Sequence, residues 1–126
     1  MAGTKTLITV VDDDLSISRM LSRVLMSEGF EVESYASAED FLKSGLLNDS
    51  ECLILDINLP GMTGVELQQQ LLEKGSNVPI VFMSADADEL VQRRVRTAGA
   101  VGFLRKPFSL NSLLTLVRSV AIPALT

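Results

Sequence analysis

Five short apolar runs alternate with five stretches of helical period along this chain, and that alternation limits its fold more than any other feature. The runs lie near residues 6–11, 31–35, 52–56, 79–84 and 101–105, and the helical stretches near 15–28, 37–44, 64–74, 87–98 and 109–120. Four of the five helical stretches stop just before a glycine, at Gly29, Gly45, Gly75 and Gly99, where the left-handed backbone that closes a helix carries no steric penalty. Thr63 and Glu66 have the spacing of a capping box, and Ser37 and Ser109 stand where they can cap the second and fifth helices. Repeated strand–helix–strand units need right-handed crossovers, so the expected product is one open parallel sheet with helices on both faces. The run Glu31–Tyr35 alternates polar and apolar residues and belongs at an edge, whereas the third and fourth runs are solidly apolar and belong near the centre. This predicts a doubly wound α/β fold, (β/α)5, with five strands in the order 2-1-3-4-5. At 126 residues the chain, 1–126, reads as one domain, and with 47% hydrophobic but only 5% aromatic residues its core must be aliphatic.

In such sheets ligands bind beyond the carboxyl ends of the strands, at the point where the strand order reverses, here between the first and third strands. Three strands in this chain stop on charges. Asp12, Asp13 and Asp14 follow Leu7–Val11, Asp56 follows Cys52–Leu55, and Lys106 and Pro107 follow Val101–Arg105. Asp14 also suits a helix N-cap, where the dipole favours an acid. Carboxylates gathered from two neighbouring strand ends repel one another, and a hard divalent cation removes the repulsion. The chain has no histidine, and its one cysteine, Cys52, lies inside an apolar strand, so oxygen ligands favour Mg2+, with Mn2+ as the alternative, over zinc. Acidic cluster, lysine and Mg2+ together make a phosphoryl-transfer site, with an aspartate able to act as nucleophile and form an acyl phosphate.

At this point the residues resemble a known family. Val11 to Asp14 after the first strand, Asp56 to Gly64 after the third, Met83 to Ala85 after the fourth and Lys106 to Phe108 after the fifth resemble the receiver domain of bacterial two-component response regulators, over essentially the whole chain. The resemblance implies a flavodoxin-like fold and assigns roles. Asp56 would accept a phosphoryl group from the phosphohistidine of a sensor histidine kinase or phosphotransfer protein. The side chains of Asp13 and Asp56 and the backbone carbonyl of Asn58 would hold Mg2+, with Asp12 reaching it through water. Ser84 would hydrogen-bond the phosphoryl group and Lys106 would pair with one of its oxygens, and the Lys106–Pro107 peptide is expected to be cis. Phe103 takes the place of the switch aromatic, without the hydroxyl of the more usual tyrosine. Asn58 and Asp86 flank the site at positions where family members differ in dephosphorylation rate.

Other classes of function fit less well. A net charge of -5, no tryptophan and one tyrosine argue against direct nucleic-acid binding by this domain. A lone buried cysteine allows no internal disulfide and suits a reducing, cytoplasmic compartment, and no secretory signal or membrane span is visible. A Mg2+-dependent phosphohydrolase with an aspartyl nucleophile would need a substrate-enclosing cap larger than any insert here. A receiver-fold interaction module without phosphorylation would have no use for the intact acid, hydroxyl and lysine set. The resemblance implies output through protein contact, a homodimer formed on phosphorylation included, on the surface of the fourth helix, fifth strand and fifth helix. Arg93, Arg94 and Arg96 lie on the fourth helix, where they also complement its C-terminal dipole, and Leu110, Leu113, Leu114 and Val117 form an apolar stripe on the fifth. The domain reads either as a stand-alone receiver or as the N-terminal part of a longer regulator with a DNA-binding effector.

Overall fold

A computed structural model describes residues 6–45, 49–86 and 88–123. Ten elements alternate: β1 (Leu7–Val11), α1 (Leu15–Ser27), β2 (Glu31–Tyr35), α2 (Ala38–Lys43), β3 (Cys52–Asp56), α3 (Gly64–Glu73), β4 (Ile80–Ser84), α4 (Glu89–Thr97), β5 (Gly102–Arg105) and α5 (Leu110–Val120). The strands form one parallel sheet in the order β2-β1-β3-β4-β5, the flavodoxin-like arrangement expected from the sequence. β3 and β4 are buried at every residue, while β2 is exposed or half-buried throughout, as its alternating composition requires of an edge.

Because successive residues of a strand point to opposite faces, the aliphatic runs supply two cores at once. Ile8, Val10, Ile54, Val81 and Met83 pack with Leu21 and Leu25 of α1 and Leu113 and Val117 of α5. Val11, Leu53, Leu55 and Phe82 pack on the other face with Phe41 of α2, Leu67 and Leu71 of α3, and Val95 of α4. The helix ends follow local chemistry. Asp14 caps α1 by accepting the Ser16 and Ile17 amides, Ser37 and Ser109 cap α2 and α5, and Thr63 and Glu66 close a full capping box on α3.

One expectation shifts. The helix expected over 87–98 begins at Glu89, with Asp88 as its cap, and Ala87 lies outside the described residues. Ser84 takes no part in that cap. Its hydroxyl instead accepts the Asp86 amide at 3.0 Å in a tight turn, and Asp88 takes over the Leu90 and Val91 amides. On α5 the apolar stripe divides, for Leu113 and Val117 are fully buried whereas Leu110 is 42% exposed.

Cys52 is buried in the central strand, and loss of hydration pushes its thiol up to about 12. The folded protein should therefore resist thiol alkylation at pH 8 and react once urea unfolds it; alkylation of the native state at the rate of a free thiol would contradict this packing. In the same strand, Ile54→Ala should lower stability by about 2–5 kcal/mol, read as a shift in the urea midpoint, while Glu33→Ala on the exposed edge should change it by less than about 0.5 kcal/mol.

Candidate functional site

The register of the sheet brings the charged strand ends together. β1 and β3 are neighbours, so Asp12, directly after Val11, and Asp56, directly after Leu55, emerge side by side from paired positions. Asp12 is fully buried and Asp56 is 6% exposed, while Asp13 faces solvent. One carboxylate oxygen from each of the three lies within 4.8 Å of the others. Two unit negative charges at that separation repel by about 3–4 kcal/mol at an effective dielectric constant of about 20.

Lys106 arrives from the far side of the sheet. The end of β5 is held to β4 by the Lys106 amide on the Ser84 carbonyl, and the Lys106–Pro107 peptide is cis. The ammonium donates to Asp12 Oδ2 at 3.0 Å and to Asp56 Oδ2 at 3.1 Å. Burial alone would depress the Lys106 pKa, but its hydrogen bonds to Asp12 and Asp56 and their charges outweigh that and raise it. Asp12 is pushed above the ordinary carboxylate range, first by burial and further by the Asp56 charge, against the pull of the Asp14 amide and of Lys106. One ammonium therefore does not neutralise the site. Three carboxylates and one ammonium leave two negative charges, which is what a divalent cation would offset, and the donors are hard oxygens. The residues present fit Mg2+.

The remaining oxygen of Asp56 is bound by its own loop, with the Asn58 amide donating to Oδ1 at 3.0 Å. The Asn58 side chain reaches the other way and donates through Nδ2 to Ser84 Oγ at 3.1 Å. Ser84 thus accepts two N–H groups, from Asn58 and Asp86, which fills its lone pairs and leaves its O–H as a donor. Phe103 pairs with Phe82 in register, one pleat from Ser84 on the same face of the sheet. Ser84, Phe103, Asn58 and Val91 together line a hollow of about 90 Å³ under the start of α4.

The sequence reading missed two contributors. Gly64 opens α3 against the end of β3: a Cβ there would lie 2.5 Å from the Asp56 carbonyl oxygen and 2.9 Å from Ile57 Cα. The Gly64 amide donates to the Ile57 carbonyl at 3.0 Å across this contact. Glu39, from α2, accepts the Met62 amide of the same loop. In the sequence Gly64 stands only as the last residue of the motif after the third strand, with nothing to show that it presses on the backbone seven or eight residues before it, and Glu39 looks like an ordinary first-turn acid because Met62 is 23 residues away.

Comparison with known proteins places the fold in a family. The family described as the response regulator receiver domain matches residues 8–118. Nodulation protein W of Bradyrhizobium diazoefficiens is 38% identical over 116 residues, covering 92% of this chain and 51% of that protein. The structure of the response regulator StyR is 41% identical with a TM-score of 0.87, covering 93% of this chain and 59% of that one. The response regulator TrrA from Thermotoga maritima, in complex with Mg2+–BeF, is 26% identical with a TM-score of 0.80 over 91% of this chain and 98% of that one. The chain spans about half the length of the curated relatives it matches.

Since the atoms a Gly64 side chain would meet are backbone, they cannot swing aside. Gly64→Ala should cost about 1–3 kcal/mol in urea unfolding and shift the amide resonances of Asp56 and Ile57. An unchanged midpoint and spectrum would show that α3 does not press on the end of β3.

Proposed function

The chain belongs to the response regulator receiver domain family of two-component signalling, and from that premise we propose that Asp56 accepts a phosphoryl group from the phosphohistidine of a sensor histidine kinase or phosphotransfer protein. The observation that carries this reading is the buried Asp56 carboxylate, held at the switch point of the sheet between Lys106 and the Asn58 amide and beside Asp12 and Asp13. In the transfer a carboxylate oxygen of Asp56 forms the new P–O bond as the P–N bond of the phosphohistidine breaks. The imidazole leaves with the bonding electrons and takes up a proton from water. Asp13, Asp56 and the Asn58 carbonyl would hold Mg2+, with Asp12 behind them; when bound, the ion supplies the positive charge that makes a phosphoryl group tolerable among carboxylates. Lys106 is placed to follow the negative charge, exchanging its bond to Asp56 for one to a phosphoryl oxygen.

The switch reading rests on the Ser84 and Phe103 arrangement. A phosphoryl oxygen at Asp56 is an acceptor for the Ser84 hydroxyl, and drawing Ser84 inward moves the turn that leads into α4. The hollow beneath that turn then receives Phe103. The result is a two-state bias on the surface of α4, β5 and α5. On α4 that surface exposes Arg93, Arg94 and Arg96 beside Leu90, which is 71% exposed. We assign it to protein contact, with a second copy of the domain or with an effector, the latter either adjoining in the chain or separate. With a net charge of -5 the domain is not assigned direct contact with nucleic acid. Among the described residues no helix is long and apolar enough to cross a membrane.

Acetyl phosphate with Mg2+ should add one phosphoryl mass to the protein, EDTA should abolish the addition, and Asp56→Asn should not be labelled. Labelling of the asparagine variant at the wild-type level would remove Asp56 from the role of acceptor.

A further inference from the structure

The loop that joins Asp56 to α3 is tied down by a residue from outside the site. Glu39, in the first turn of α2, accepts the Met62 amide on Oε2 at 3.0 Å. Its second oxygen, Oε1, is buried and has no hydrogen-bond partner among the described residues. A glutamate near the surface would normally turn both oxygens to water, so this carboxylate is held where it is by what it grips. The Met62 amide, and then the amide of Glu39 itself, hold its carboxyl below the usual glutamate range. The loop backbone is shaped to the carboxylate: Gly61 takes a φ of +74°, and a Cβ there would lie 2.6 Å from Oε2. At its other end the same loop is bound to Asp56 Oδ1 through the Asn58 amide. The segment carrying the Asn58 carbonyl is therefore anchored twice, at Asn58 by the acceptor aspartate and at Met62 by α2.

We propose that Glu39 is a positioning residue for the cation-binding loop, setting the path of residues 58–62 so that the Asn58 carbonyl is presented to the metal without rearrangement. Glu39 touches neither metal nor phosphoryl group. Its effect is on how tightly the cation is held, and through that on phosphoryl transfer when Mg2+ is limiting. The proposal rests on the Asp56 reading above. A carboxylate that only packed α2 against the loop would change stability and leave the cation affinity alone.

The test is an isothermal Mg2+ titration of the wild type, Glu39→Ala and Glu39→Gln, with acetyl phosphate labelling followed across Mg2+ concentration and folding checked by circular dichroism. Glu39→Ala should weaken Mg2+ binding by about fivefold, the worth of one ordinary hydrogen bond. It should raise the Mg2+ concentration for half-maximal labelling to match, while the rate at saturating Mg2+ stays within about twofold of wild type. Glu39→Gln keeps an acceptor for Met62 and should restore most of the affinity. If Glu39→Ala does not fold, Glu39→Ser replaces it. A folded alanine or serine variant with wild-type Mg2+ affinity, or a glutamine variant as weak as alanine, overturns the positioning role while leaving the Asp56 site intact. A wild-type protein that neither binds Mg2+ nor takes the label overturns both.

Discussion

The contact between the Lys106 ammonium and the carboxylates of Asp12 and Asp56 is the interaction around which the rest of the structure is arranged. Each partner ends or follows a different strand, and the three meet only because β1 and β3 are neighbours and β5 reaches the same edge of the sheet. Removing charges from water is costly, and a single ammonium answers for three carboxylates. The imbalance is inseparable from the function proposed for the site: a cluster that was already neutral would gain little from a cation and would have less use for one in binding a phosphoryl group. The aliphatic sheet is what makes this arrangement stable. Two cores, one on each face, hold the strand ends in place and leave the polar residues on the rim.

The same sheet links the site to its surface. Alternation along β4 and β5 puts Ser84 and Phe103 on the face covered by α4, one pleat apart. A change at the Ser84 hydroxyl is then felt first at the turn into α4, where Asn58 and the Asp86 amide already hold that oxygen. In the structure as it stands the Ser84 oxygen accepts from both neighbours and keeps its O–H as a donor. In the function proposed for the site, a phosphoryl oxygen would accept that O–H, and the shift of Ser84 toward it would bias the surface between two states.

Much of this could be read from the sequence because it depends on short-range pattern. Runs of four to six aliphatic residues, glycines that close helices at positive φ, and serine or threonine caps act within a few residues, and they gave the elements and the strand order. Polar residues at the ends of apolar strands pointed to one shared rim. The contributors that were missed depend on how the backbone folds back on itself, over a loop of seven or eight residues for Gly64 and between two elements for Glu39. Nothing local distinguishes Gly64 from another turn glycine until the Asp56 carbonyl is placed beside it. Glu39 precedes Met62 by 23 residues, and the favourable helix-start position it occupies already accounts for its identity. The late start of α4 comes from local turn chemistry as well: Ser84 accepts the Asp86 amide, and Asp88 caps the helix.

The proposed function requires the three charged strand ends to form one site for a cation and a phosphoryl group. A crystal structure with Mg2+ and beryllofluoride, a mimic of the phosphoryl group, tests it most directly. The mimic should sit on the Asp56 carboxylate, with Lys106 and the Ser84 hydroxyl bonded to its fluorines and the cation on Asp13, Asp56 and the Asn58 carbonyl. Beryllofluoride bound elsewhere, or a cation that leaves these carboxylates unengaged while Lys106 keeps both of its present partners, would contradict it.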